Sequence, residues 1–328
     1  MTTTLEYPAF EAYQHCRLCP NYCEVDRLAG ERGRCGETAT VRIAWSGLHK
    51  GEEPPVTGEH GSGMIFFSGC PLHCAYCQNY QISNRGEQGS PALGIELSIA
   101  ELAQMMLGLQ EMGAANINMV TGTHFIPSII EALKLARREG LTLDVVWNSS
   151  GFESIEGLKL IDPYIDLYLI DVKTLDEQVG AVFCGLALYA QKIREVMEFL
   201  KTRKTSTQLD ASGNLRGMLV RHLVFPQTLE ATKEVLTYFA RSLKDQAYLS
   251  LMVQFEPPKG DTRFPPITEE EYESLLLLLE DLEIEEGFVQ ELGENVSWIP
   301  DFTQDNPFPE SFAQILPLFL QLKRSRFR

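Results

Sequence analysis

The stretch Met64–Ser83, MIFFSGCPLHCAYCQNYQIS, decides how the rest of the chain is read. An apolar run, MIFFS, feeds directly into a loop carrying Cys70, Cys74 and Cys77 in the spacing C-x3-C-x2-C, with Tyr76 just before the third cysteine. Three thiolates on so short a loop can take three corners of a cubane iron–sulfur cluster and leave the fourth iron without a protein ligand. An open coordination position is what a catalytic metal needs, whereas a fully ligated metal is structural. The competing assignment is a zinc knuckle. Structural zinc takes four ligands, and only His73 offers a local fourth.

Downstream of that loop the pattern becomes regular. Short apolar runs follow one another as NINMVT from Asn116, LDVVWN from Leu143, DLYLID from Asp166, MLVRHLVF from Met218 and LSLMVQF from Leu249. Runs of this length separated by amphipathic helices predict buried parallel strands. The helices carry their own signals. Ser98 and Glu101 form a capping box ahead of Ile99, Leu102, Met106 and Leu109, Pro127 suits a first helical turn, and Thr268 with Glu271 repeats the box. Six such units predict an α/β fold, either an open sheet or an incomplete barrel, with function at the C-terminal ends of the strands. The polar segment Thr202–Asn214 is expected to be a loop.

Upstream, Cys16, Cys19, Cys23 and Cys35 follow the spacing C-x2-C-x3-C-x11-C among Gly30, Gly33 and Gly36. Four thiolates complete a tetrahedral set, so this group is expected to be closed and non-catalytic, with zinc or a second [4Fe–4S] cluster fitting equally. Seven of the eight cysteines lie before residue 80, which argues for metal rather than disulfides in a reducing compartment. Cys184, alone in VFCGLAL, is expected to be a buried apolar thiol. Residues 1–63 are expected to form an irregular Cys-rich segment, 64–265 the α/β unit and 266–328 a helical extension. A formal net charge of −17 disfavours nucleic acid and anionic membrane surfaces as partners. Met1–Tyr13 has no signal-like apolar core, and no apolar run reaches the roughly 20 residues of a membrane span; a cytoplasmic protein is expected.

The C-x3-C-x-aromatic-C loop after a first strand resembles the radical S-adenosylmethionine (SAM) superfamily. CRLCPNYC through GRCG, HKGEEPP, FFSGCPLHCAYCQNYQIS, RHLVFP and LMVQFEPP together resemble a branch of it related to pyruvate formate-lyase activating enzyme. The resemblance implies a partial (β/α)6 barrel and a [4Fe–4S] cluster on Cys70, Cys74 and Cys77 whose open iron chelates SAM. Reductive cleavage would then give a 5′-deoxyadenosyl radical that abstracts hydrogen from a substrate, a glycyl-radical enzyme or another polypeptide being the first candidates. A flavodoxin- or ferredoxin-like electron donor is implied as partner.

By the same resemblance Tyr76, Gly122 and Arg221 are expected to contact SAM, and Asp171 and Lys173 to line the SAM and substrate site. Asn148 and Ser149, small polar side chains at a strand end, are expected to hydrogen-bond the SAM ribose or carboxylate. Alternation puts Asp171 and Lys173 on one side of their strand and lets only one of Arg221 and His222 face inward; Arg221 is the expected one. The turn Thr121-Gly122-Thr123-His124 departs from the Gly-Gly-Glu-like turn of many members. That departure gives weight to the rival assignment, a non-catalytic iron–sulfur or zinc scaffold on a relic barrel. His124 is equally a capping or surface histidine.

Overall fold

The computed structural model describes residues 7–83, 93–204, 206–256, 265–293 and 299–326. Met1–Glu6 and Pro257–Pro258 of the LMVQFEPP stretch lie outside the described residues. All six expected runs form strands: β2 (Ser62–Phe67), β4 (Ile117–Val120), β5 (Val145–Ser149), β6 (Leu167–Asp171), β8 (Leu215–Leu223) and β9 (Tyr248–Met252). They lie side by side in the order β9-β8-β6-β5-β4-β2, every pair parallel. The helices that cross between them include α3 (Ile99–Glu111), α4 (Ile126–Arg138), α5 (Ile155–Ile161), α6 (Glu177–Phe183), α7 (Leu188–Arg203) and α8 (Leu229–Ser242). Both capping boxes form, Ser98 with Glu101 opening α3 and Thr268 with Glu271 opening α9 (Glu269–Asp281). Each satisfies two of the N–H groups that a helix start leaves unpaired.

The sheet curls into a partial barrel, and its two faces carry different residues. Trp147, Tyr168, Ile170 and Val220 face outward into the main core with the helices. Val146, Leu167, Leu169, Leu215 and Leu219 face inward and close on Val56. Val56 belongs to α1 (Pro54–Thr57), a single turn that plugs the barrel floor. The period-2 alternation then puts Asn148, Asp171 and Arg221 on the concave face, above that apolar floor.

Three features differ from expectation. The irregular segment ends near Thr40, because Val41–His49 is a nine-residue strand, β1, antiparallel to β2. The tail is not purely helical: besides α9 and α10 (Pro317–Arg326) it supplies β10 (Gly287–Val289), parallel to β9, and β11 (Ala313–Ile315), antiparallel to β1. With β3 (Ile95–Leu97) on β1, one eleven-stranded sheet thus crosses both expected boundaries. Within the expected loop, Gln208–Leu209 forms β7, a short pairing with β8. Among the described residues no helix is long and apolar enough to cross a membrane.

Candidate active site

The cysteine loop begins where β2 ends, and glycine is required at the bend. Gly69 has φ +81°, and a Cβ there would stand 2.7 Å from the Cys35 carbonyl oxygen. Its N–H donates to Ile82 O at 2.7 Å, which cinches the loop against α2 (Tyr80–Ser83). The Cys77 N–H donates to Cys74 O at 3.3 Å, and the Ala75 N–H to Phe183 O at 2.9 Å. Tyr76 packs among Phe225, Phe255 and Phe183, with ring centroids 4.7, 5.8 and 6.3 Å away. Lys173 Nζ lies 5.5 Å from the same ring, within cation–π range.

The three loop thiols suit a cluster in chemistry and proximity. Burial raises the Cys70 pKa, and the neighbouring Cys74 and Cys77 raise it further. The Lys173 ammonium acts on all three in the opposite sense. Among the described residues no three Cys, His, Asp or Glu side chains already converge as metal ligands. Cys74 lies beside the Cys184 thiol, and Cys77 Sγ lies 3.4 Å from Ser83 Oγ. Side-chain rotation from these partners is what ligation would require. His73, the only local candidate for a fourth zinc ligand, is exposed.

At the end of β6, Lys173 Nζ donates to Asp171 Oδ2 at 2.9 Å. Burial alone would lower the lysine pKa, but Asp171 and the Cys74 thiol raise it, so the ammonium stays charged. The expected pairing of these two residues is therefore present, beside the cysteine loop. At the end of β5, Ser149 Oγ accepts from the Gly151 N–H at 3.0 Å, and Asn148 O accepts from the Thr121 N–H at 2.9 Å. The Thr121–His124 turn starts with Thr121 at φ +60°. Gly122 is packed so closely that a Cβ would meet Ile129 Cδ1 at 2.7 Å.

His124 neither caps a helix nor lies on the surface. Its Nε2 donates to Ser68 O at 2.7 Å, two residues before Cys70, and its carbonyl accepts from the Arg27 guanidinium. Burial first, and the Arg27 charge second, hold the imidazole neutral with its pKa down to about 3. The altered turn therefore braces the cysteine loop.

Arg221 faces inward as expected, but it already has partners. Its Nε and Nη2 donate to Glu53 Oε1 and Oε2 at 3.0 and 2.7 Å, and Nη2 also donates to Glu52 Oε2 at 3.0 Å. Both glutamates come from the segment just before α1 and enter the barrel from below. His222 points outward, Nδ1 donating to Val172 O at 2.7 Å and Nε2 lying 3.1 Å from Thr232 Oγ1. Burial keeps it neutral, with its pKa lowered to about 4.

Five residues at the site carry no motif signal that assigns them there. Glu52 and Glu53 lay in a quoted stretch, HKGEEPP, without an assigned partner. Tyr189 on α7 links two strand ends: its hydroxyl lies 2.9 Å from Ser150 O and 2.7 Å from Asp171 O, and accepts from the Lys173 N–H at 3.0 Å. Cys184 is fully buried, as expected, yet at the C-cap of α6 its thiol meets Cys74 instead of apolar neighbours alone. Glu153, 1% exposed, lies against the Thr121–His124 turn and accepts from Thr123 Oγ1 at 2.7 Å and Trp147 Nε1 at 3.3 Å. Only tertiary placement distinguishes these residues from ordinary core and surface positions.

The family model of the radical SAM superfamily matches residues 64–239, which span β2 to α8 and every strand end just described. The chain belongs to the radical SAM superfamily. An uncharacterised protein of Methanocaldococcus jannaschii is 29% identical over 273 residues, covering 82% of this chain and 75% of its own. Pyruvate formate-lyase-activating enzyme of Clostridium pasteurianum is 25% identical over 188 residues, covering 56% of this chain and 69% of its own. Among solved structures, Streptococcus suis SuiB bound to precursor peptide SuiA superposes with a TM-score of 0.45 at 11% identity. That alignment covers 68% of this chain and 47% of SuiB, so the chain spans about half of that structure. As a radical SAM protein the chain carries the iron–sulfur and SAM-binding character of its superfamily.

Proposed function

We propose that the chain reductively cleaves SAM at a [4Fe–4S] cluster held by Cys70, Cys74 and Cys77 and abstracts hydrogen from a polypeptide substrate. The observation that carries this reading is the placement of three mutually close thiols at the C-terminal end of β2, facing Lys173 and Asp171 at the end of β6. When bound, the cluster and SAM supply the electron and the 5′-deoxyadenosyl radical. The chain's own residues bind, orient and shield them.

Tyr76 and its phenylalanine neighbours give the loop an apolar wall that excludes water. Lys173 places a fixed positive charge beside the thiolates, which lowers the cost of gathering three negative sulfurs. Asp171, paired to it, holds that charge in position and presents a carboxylate to the concave side. Asn148 offers a polar group at the neighbouring strand end, Ser149 beside it braces the turn through Gly151 from the outer face, and the Gly122 backbone contributes to the adjoining turn. Arg221 acts through Glu52 and Glu53, as part of a charged layer beneath the site. The C. pasteurianum relative, named for activating pyruvate formate-lyase, favours a polypeptide substrate.

The test is anaerobic reduction of the reconstituted chain with SAM. The expected product is 5′-deoxyadenosine, lost when any of the three loop cysteines is replaced by alanine; its absence from a cluster-loaded chain would overturn the reading. A scaffold reading draws on one observation, that Arg221 is already neutralised. It predicts no SAM binding to the loaded chain.

A further inference from the structure

The four upstream cysteines lie on a segment with no sheet or long helix of its own, folded against the cysteine loop. Two of their thiols accept N–H donors, and a buried cation stands beside the other two. The Asn21 Nδ2 amide donates to Cys19 at 3.4 Å and the Arg34 backbone N–H to Cys23 Sγ at 3.3 Å. The Arg27 guanidinium places its charge beside Cys35 and Cys16. Burial pushes the Cys19 and Cys35 thiols up and the donors offset only part of this, so a bound cation is what would hold them as thiolates. Gly33 is shaped by the same need, since a Cβ there would meet Cys23 Sγ at 2.8 Å.

Charge points the same way. Arg27 is 1% exposed, and it packs on the rings of Tyr13 and Phe125 at 4.7 and 5.4 Å. Its hydrogen bonds go to the carbonyls of Glu37, Thr38 and His124. The buried Glu37 carboxylate feels its charge but forms its ion pairs with Arg42 and Arg32, so among the described residues Arg27 has no carboxylate at ion-pair distance. A buried cation without an ion-pair partner is costly unless a negative centre lies beside it. Four thiolates around a dipositive centre carry about −2 overall, which supplies that counter-charge.

We propose that Cys16, Cys19, Cys23 and Cys35 form a closed four-thiolate site for a dipositive thiophilic centre, with Arg27 as its buried counter-cation. Zinc and a [4Fe–4S] core in its 2+ state share this chemistry. The sulfurs reach it by side-chain rotation, because the thiols do not yet converge. Placement gives the site a second consequence. Asn21 Nδ2 also donates to Pro71 O at 2.8 Å, and Cys35 O lies against Gly69, so the site flanks the loop cluster on both sides of Cys70.

This proposal is independent of the SAM chemistry, and one experiment separates the two. The full chain carrying Cys70→Ala, Cys74→Ala and Cys77→Ala is purified anaerobically and analysed for zinc and iron. The expected result is one centre per folded chain: one zinc in the first case, or about four irons with a cluster absorption band in the second. A folded chain that retains neither metal, and that binds no added cobalt(II) with a tetrahedral thiolate spectrum, overturns the proposal. In the chain with intact loop cysteines, Arg27→Met is expected to lower upstream metal occupancy several-fold while the loop cluster still loads. Unchanged upstream occupancy would refute the counter-cation role.

Discussion

Arg221 carries a positive charge into the barrel, and Glu52 and Glu53 cancel it there. Their side chains are each only 8% exposed. Removing the arginine would strand two buried carboxylates. Arg221→Met is therefore expected to destabilise the fold by about 3–5 kcal/mol, read by urea denaturation. Arg221→Lys should restore only part of this, since an ammonium cannot bind Glu53 through two parallel hydrogen bonds.

The same cluster sets a pH dependence. Burial would raise the Glu52 pKa, but Arg221 and then His49 outweigh it and hold the carboxyl at about 2, against an ordinary 4.5. The folded state thus binds fewer protons than the unfolded one across that window. Stability from Glu52 is complete above about pH 4.5 and is lost as the pH falls toward 2. Acid denaturation of the wild type should steepen in that range, and Glu52→Gln should flatten it.

At the scale of elements, periodicity located all six parallel strands, and the capping boxes located the starts of α3 and α9. Those signals are local, so a single sequence carries them. β1 was missed because Val41–His49, though buried almost throughout, is broken by Arg42, Ser46 and Gly47 and so reads neither as an unbroken apolar run nor as a clean alternation. β10 and β11 are three residues each and exist only because sheet edges are there to receive them. The site divides in the same way. Cys70, Cys74 and Cys77 were legible from spacing, and Asp171 with Lys173 from the family resemblance, alternation adding only that they share one side of the strand. Cys184 and Tyr189 were not, since helix packing alone brings them to the strand ends, and neither was Glu153, whose place in the β5–α5 connection carries no motif. The floor plug is a test of element-level packing. Val56 is fully buried among five aliphatic side chains, so Val56→Ala is expected to cost about 2 kcal/mol in thermal or chemical unfolding. A near-zero effect would mean that the plug does not close the barrel.

For the whole molecule, the sheet supplies the frame and its C-terminal ends supply the chemistry. The Cys-rich segment supports that end from outside through Arg27, Asn21 and the Gly69 contact. The Glu52–Glu53 segment supports it from within through Arg221. Between them lies the cysteine loop with one iron position that the chain itself would leave open. The most direct test of that claim is the electron paramagnetic resonance spectrum of the reduced, reconstituted chain with and without SAM. The account predicts that SAM changes the signal of the loop cluster, and that the SAM-sensitive component disappears from the chain carrying Cys70→Ala, Cys74→Ala and Cys77→Ala. A loaded loop cluster whose spectrum is indifferent to saturating SAM would contradict it.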